Sequence, residues 1–386
     1  MAHQRLDISE YSMITRLVIS NFRSIGANVE IRPGRLNFLV GTNGSGKSNV
    51  LRALTFIRES VRIGLQGAIT NNNGIDSIRR HSTGHPRNVR IEIDATLKNG
   101  SASYRFEITG DRSEEYRVKR EWGRVTVSGE VTEFSLESGV WSGPENLRPS
   151  IDSQSLAITS LGGDERIKPL WDFLANMMVY SIYPDVLREP QKFSSETPMQ
   201  SRGDNWVSIL YQQEKYGWKN DLVAALEKLT GDIDDIKVAK ASGFLITQFH
   251  HKLRGEKTKK WFGADLESDG TLRVAGLLTA LLQQPPLPVI GIEEPELTVH
   301  PGALPLIYDY LREASSRSQI FVTTHSPILL DYIGLDESSV FVVQRDAAVT
   351  SAEPLSDVHR EAVRSQLLTL GEIMISGEMQ LPLSLD

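Results

Sequence analysis

The sequence predicts an α/β fold: a largely parallel sheet with crossing helices, joined by an antiparallel β subdomain and a helical insertion. Three observations predict it. Residues 268–345 read as helix, strand, helix, strand, helix, strand, the rhythm of a parallel sheet. Residues 88–141 alternate apolar and polar side chains in runs such as NVRIEIDATL and RVTVSGEVTEFSL, as an antiparallel meander does. The octapeptide Gly41-Thr42-Asn43-Gly44-Ser45-Gly46-Lys47-Ser48 sits between the apolar run Leu36 to Val40 and a helical pattern from Asn49 to about Arg62. That strand–loop–helix order is the context a phosphate-binding loop needs.

The remaining elements follow in order. Residues 14–40 read as strands: ITRLVISNF, ANVEIRP and RLNFLV. Residues 71–87 are turn-rich and predict a surface loop. Helical patterns dominate 153–230, broken at 189–205, where Ser, Pro and Gly predict a mobile loop; 235–252 return to strands, and 355–386 form a helical, then irregular, tail. The expected organisation is an N-terminal lobe (1–150), a helical insertion (151–232), a C-terminal lobe (233–350) and a tail (351–386), with no internal repeat.

Composition narrows the function. The chain has 386 residues, room for one large domain with insertions or for two domains. A net charge of −7 argues against a basic nucleic-acid coat, though not against a local basic groove. With no cysteine, disulfides, thiolate catalysis and cysteine-based metal sites are excluded, which suits a reducing cytoplasm. The segment MAHQRLDISEYSM lacks a signal-peptide core. The long uncharged run Val274 to Ile292 is broken by Gln283-Gln284-Pro285-Pro286, so it reads as a buried helix and a buried strand rather than a membrane span.

The loop at 41–48 points to a nucleoside triphosphate. Its glycines, Gly44 and Gly46 among them, let the backbone wrap a polyphosphate, with the N–H groups from Asn43 through Ser45 to Asn49 and the helix N-terminus facing the charge. Lys47 can reach the β/γ-phosphates, and the Ser48 hydroxyl can ligate Mg²⁺.

A second group of motifs supplies candidate catalytic residues. The strand Leu287 to Ile292 ends in Glu293-Glu294-Pro295-Glu296, and ligands of such sheets sit at that carboxyl edge. Glu293 can hold Mg²⁺ directly or through water, and Glu294 can orient or deprotonate an attacking water. Three acids in four residues are mutually costly and point to a metal partner; the plainer alternative is a strand ending in solvated charges. The strand Gln319 to Thr323 leads to Thr324-His325-Ser326-Pro327, where His325 can donate to a γ-phosphate, although a lone histidine is usually structural. In Leu266-Glu267-Ser268-Asp269-Gly270-Thr271, either Ser268 or Asp269 simply caps the next helix, or Ser268, Asp269 and Gly270 present its N-terminus to a nucleotide held by another subunit.

The ordered motifs GTNGSGKS, SDGT, IEEPE followed by His300-Pro301, and TTHSP, with the opening ITRLVISNFRSI, resemble the ABC-type P-loop NTPase heads of the RecF, SMC and OLD group, often labelled AAA ATPases. The resemblance is specific over 14–60 and 260–345. It implies an ABC/SMC-type head that binds ATP and Mg²⁺, with Asn43 bordering the γ-phosphate, Lys47 and Ser48 on phosphate and metal, Ser268 and Gly270 as the signature turn, Glu293 and Glu294 as metal and catalytic acids, residues 296–300 crossing a dimer interface, and His325 as the switch histidine. It also implies that two heads sandwich two ATP molecules in a homodimer or a higher oligomer of dimers.

Departures from the pattern matter. The ESDGT turn differs from the LSGGQ of transporters, and no glutamine loop is evident, Gln66 being the only candidate. About 245 residues without sustained heptads separate the phosphate loop from the acidic strand, too little for SMC-type arms. Too few residues follow His325 for the Toprim nuclease domain of OLD proteins. The expectation is a compact ATPase acting as a switch with DNA and a separately encoded nuclease or toxin-like effector, in anti-phage defence or DNA repair. The basic stretches Arg79-Arg80-His81 and His250 to Lys260 are candidate DNA contacts or plain solvated faces. The alternatives are a transporter nucleotide-binding subunit and a nucleotide-sensing scaffold that does not hydrolyse.

Overall fold

A computed structural model describes residues 11–80, 88–110, 115–149, 152–252 and 260–377. The chain opens with β1 (Met13–Ser20), β2 (Val29–Ile31), β3 (Leu36–Val40), α1 (Lys47–Arg62), α2 (Gly64–Asn71) and α3 (Ile75–Ile78). A meander follows: β4 (Val89–Leu97), β5 (Gly100–Thr109), β6 (Arg117–Val127), β7 (Glu130–Glu137) and β8 (Val140–Ser142). Next come α4 (Ile158–Leu161), α5 (Lys168–Ala175), β9 (Met178–Tyr180), α6 (Pro184–Arg188), β10 (Gln191–Lys192), α7 (Trp206–Gln213) and α8 (Lys219–Thr230). The C-terminal half contains β11 (Ile233–Ala241), β12 (Phe244–His251), β13 (Trp261–Gly263), α9 (Asp269–Leu282), β14 (Val289–Glu293), α10 (Leu304–Ala314), β15 (Gln319–Thr324), α11 (Pro327–Leu330), β16 (Ser338–Asp346), β17 (Val349–Pro354), α12 (Asp357–Arg364) and α13 (Leu370–Ser376).

The central sheet runs β17-β16-β3-β15-β14-β9, parallel except for β17. Its inner strands read as unbroken apolar runs because both faces are covered. On β3, Phe38 and Val40 face the side that carries α9 and α10, whereas Leu39 faces α1 and the antiparallel sheet. That second sheet runs β2-β1-β4-β5-β6-β7-β8, antiparallel throughout, so the N-terminal strands join the expected meander. Helix α1 lies between the sheets, with Phe56 packed against Phe22 and Phe106 at 5.6 and 6.3 Å. The uncharged run 274–292 resolves into buried α9 and buried β14, and among the described residues no helix is long and apolar enough to cross a membrane.

Three local expectations change. The segment expected to be helical also supplies β9, which pairs in parallel with β14 through Met178 and Ile290. Three residues are too few for periodicity to reveal. The loop at 189–205 is tied down rather than loose. The Asn205 side chain donates to Glu196 O and Pro198 O and accepts from Gln200 N, and Met199 N donates to Gln283 Oε1. The turn-rich segment at 71–87 contains α3, anchored by buried Ile75 and Ile78; residues 81–87 lie outside the described residues.

Between the antiparallel sheet and the segment after it, the Glu121 carboxylate is 1% exposed. It accepts from the Tyr104 hydroxyl (2.9 Å) and from the backbone N–H groups of Ala157 (2.5 Å) and Ile158 (3.0 Å). Burial pushes its pKa up to about 7 against these donors. The folded protein therefore keeps this proton longer than the unfolded chain does. The associated stability is fully present below the unfolded value near 4.5 and is lost as pH rises to about 7, of order 3 kcal/mol at most. Thermal unfolding of wild type and Glu121→Gln from pH 5 to 8 should show the wild-type advantage shrinking with pH. A pH-independent difference would place that proton elsewhere.

Candidate active site

The loop between β3 and α1 is shaped by two left-handed glycines, Gly44 (φ 79°) and Gly46 (φ 104°). Lys47 opens α1 and is 5% exposed, its Nζ donating to Gly41 O (2.8 Å) and Thr42 O (2.9 Å). Burial lowers its pKa, opposed by the charges of Glu294 and Glu296. A cleft of about 380 Å³ is lined by Asn43, Gly44, Gly46, Lys47, Ser48 and Asn49 on one side and by Glu294 across it. Ser45 lies beneath, its hydroxyl buried without a partner.

The acidic edge divides its carboxylates among different tasks. Glu293 ends β14 with Oε1 buried and unpartnered. Glu294 has a left-handed backbone (φ 44°), fixed by its N–H donating to Thr323 O at 3.0 Å. Its Oε1 is 3.3 Å from His325 Nδ1. Glu296 turns back into the protein, accepting from Thr324 Oγ1 (2.6 Å) and His325 N (3.1 Å). Among the described residues no group of three or more His, Asp or Glu is placed to share a metal ion, so the three acids do not form one metal cluster. Two carboxylate oxygens of this edge, Glu293 Oε1 and Glu296 Oε2, are buried without a partner, and oxygen donors of this kind suit a divalent cation. Of the two candidate ligands only Ser48 lines the cleft, and Glu293 does not.

Arg273 on α9 fastens this edge, donating to Glu294 O (2.9 Å), Glu293 O (3.4 Å) and Ile182 O (2.7 Å). Desolvation lowers its pKa, with Glu296 and Glu294 opposing.

The turn at 268–270 is not part of the same cleft. Ser268 caps α9, its hydroxyl accepting from Thr271 N at 3.1 Å. The Asp269 carboxylate is held by Arg188 at 2.6 Å. A Cβ on Gly270 would come within 2.9 Å of Thr298 O, so glycine lets the turn lie against the loop after β14. Ser268, Asp269 and Leu297 all remain exposed. Gln66 lies on an exposed part of α2 and does not line the cleft.

The basic runs are less available than their sequence suggests. Arg79 is 5% exposed and donates to Glu115 O at 2.7 Å. His250 contacts Asp234, and His251 bridges Asp232 (2.9 Å) and Glu267 (2.8 Å). His81 and residues 253–259 lie outside the described residues.

Residues 36–331, well over half of the chain, match the protein family described as "AAA domain, putative AbiEii toxin, Type IV TA system". The chain belongs to this AAA family. Its fold is that of SMC ATPase heads. An Smc head bound to the C-winged helix domain of ScpA superposes with TM-score 0.54 at 16% identity, covering 90% of this chain and 99% of that one. An Smc head with an extended coiled coil, bound to the C-terminal domain of ScpA and derived from Pyrococcus furiosus, gives 0.54 at 14% identity, covering 92% and 99%. One with a coiled coil and joint from Pyrococcus yayanosii gives 0.53 at 12%, covering 92% and 99%. Identities this low show the fold alone. No curated protein matches the chain.

Membership of this AAA family points to nucleotide binding, and the cleft at 41–48 is also lined by residues that the motifs did not name. Ser24, Arg52 and Arg345 also line it. Arg52 stands one helical turn beyond Ser48, so helical periodicity could have found it. Ser24 arrives from the connection between β1 and β2 and Arg345 from β16, and neither carries a local signal.

Proposed function

We propose that this chain hydrolyses ATP with Mg²⁺ and closes as a homodimer around two nucleotides, so that turnover switches its assembly with DNA and a separate nuclease or toxin-like effector. One observation carries the reading. Lys47 and Glu294 face each other across one cleft, while the exposed turn at 268–270 lies outside it, where a second copy can use it.

Lys47 would exchange its hold on the Gly41 and Thr42 carbonyls for phosphate oxygens. Ser48 and Glu293 would hold Mg²⁺, which when bound supplies charge neutralisation for the phosphates. Glu294 would orient and deprotonate the attacking water, with His325 positioning its carboxylate and donating to the γ-phosphate. The loop from Glu296 to His300, exposed at Leu297, Thr298 and His300, would lie at the dimer interface.

The toxin named in the family's description and the ScpA domains bound by two similar SMC heads support a protein effector as the output, in anti-phage defence or DNA repair. Direct DNA contact has less support, since Arg79, His250 and His251 are already engaged. A second reading, a nucleotide sensor without hydrolysis, rests on glutamate at 293 where aspartate is commoner; an ATP-dependent dimer that releases no phosphate would favour it.

Ser268→Arg tests the sandwich. Arginine on the exposed turn should leave nucleotide binding by the isolated subunit unchanged and abolish ATP-induced dimerisation in analytical ultracentrifugation, together with most turnover. Full ATPase activity in the variant would show that the turn is not used between subunits.

A further inference from the structure

We propose that Arg345 is a phosphate-binding residue, delivered in cis by the β16–β17 hairpin to the nucleotide held by the loop at 41–48. This deepens the function proposed above and rests on its assignment of the cleft.

The hairpin is built against the loop at four successive points. Parallel pairing of Val342 with Val40 brings the end of β16 alongside the start of the loop. A Cβ at Gly41 would lie 2.2 Å from Val343 O, so only glycine permits that approach. Arg345 Nη1 is 3.5 Å from Gly44 O. Thr350 Oγ1 donates to Ser45 O at 2.8 Å, and a Cβ at Gly46 would lie 2.3 Å from the same oxygen. Because Thr350 spends its proton on Ser45, the Ser24 hydroxyl donates to Thr350 at 2.7 Å and itself accepts from Asn49 Nδ2 at 2.7 Å. The backbone fixes the other side, with Thr350 N donating to Ser24 O (2.7 Å) and Gly26 N donating to Thr350 O (2.9 Å).

The tip of the hairpin is under strain. Asp346 pairs with Val349, leaving a two-residue connection made of Ala347 (φ 43°) and Ala348 (φ 68°). Tight hairpin turns demand left-handed backbone there and normally take Asn or Gly. Two alanines persist in that region only where the surroundings over-determine the conformation, here through Thr350 and the contacts at Gly41 and Gly46.

The strained hairpin sets Arg345 on the rim of the cleft, exposed, facing the same space as Lys47, Ser48 and Glu294. Among the described residues it forms no ion pair, and its one hydrogen bond, to Gly44 O, is long. The planar fork therefore keeps most of its donors for an anion, and phosphate oxygens match its geometry. Lys47 is the buried cation of the cleft and Arg52 on α1 an exposed one; a triphosphate brings several negative charges, so a further cation at the rim, carried by the opposite wall, adds to the electrostatics.

The test is titration calorimetry on the full chain with ATP and with inorganic tripolyphosphate. Arg345→Ala should weaken both ligands by about tenfold or more, the loss of one charge-assisted contact. Arg345→Lys should recover part of it, because a point charge replaces the fork. Thr350→Val, which keeps the shape and removes the hydroxyl, should weaken both ligands in the same pattern, and Thr350→Ser should restore them; a merely structural role for Thr350 would lower the melting temperature without this selective recovery. Wild-type affinity of Arg345→Ala for tripolyphosphate overturns the proposal, and a loss confined to ATP would move Arg345 to the nucleobase and overturns it equally. Lys47→Ala separates the two levels. Should it bind like wild type, the cleft assignment fails; should it lose binding while Arg345→Ala keeps it, only the present inference fails.

Discussion

Lys47→Ala is expected to lose nucleotide binding by about a thousandfold, which corresponds to roughly 4 kcal/mol or two charge-assisted contacts in a partly desolvated site. The side chain is buried at the first position of α1, and its ammonium has no substitute at the floor of the cleft. Two of its donors rest on Gly41 O and Thr42 O, a holding position that phosphate oxygens can take over without moving the backbone. Alanine is a good residue for a helix start, so the fold should survive. Calorimetry with ATP reads the outcome, and unchanged affinity would remove the loop at 41–48 from the binding site.

Glu294→Gln should separate binding from turnover. Steady-state phosphate release is expected to fall about a hundredfold to ten-thousandfold, the usual worth of a positioned general base, while ATP binding persists. Glutamine has nearly the same shape, so the left-handed backbone at 294 and its N–H bond to Thr323 O should remain. The amide cannot take a proton from water. Loss of the carboxylate also removes a charge that opposes the burial-driven lowering of the Lys47 pKa. Equal turnover in wild type and variant would end the catalytic assignment of Glu294, and the His325 contact at 3.3 Å would then be structural.

Much of the fold was legible locally. The meander at 88–141 declared itself through period-two alternation, and the order from α9 to β16 through its repeated helix–strand rhythm. The misses share a physical cause. Strand β9 is three residues long, and the loop at 189–205 is ordered by Asn205 and Gln283, two side chains whose partners are set by packing. The acidic run at 293–296 read as one charge cluster, yet Glu296 Oε1 is taken up by Thr324 and His325 at the end of the neighbouring strand, which no spacing rule reveals.

By itself the sequence determined the contiguous parts: the loop of Gly44, Gly46, Lys47 and Ser48, the strand delivering Glu293 and Glu294, and the helix start at Ser268. Their chemistry depends on neighbours along the chain, and residue type and spacing suffice to express it. Only the tertiary structure decided which parts meet. Sheet order placed β16 beside β3, so that Arg345 and Thr350 reach a loop some three hundred residues earlier in the chain. The same order left Ser268 and Asp269 exposed and outside the cleft at 41–48. Such meetings follow from strand pairing and from burial on both faces of a sheet, which are properties of the whole packed chain and of no single segment.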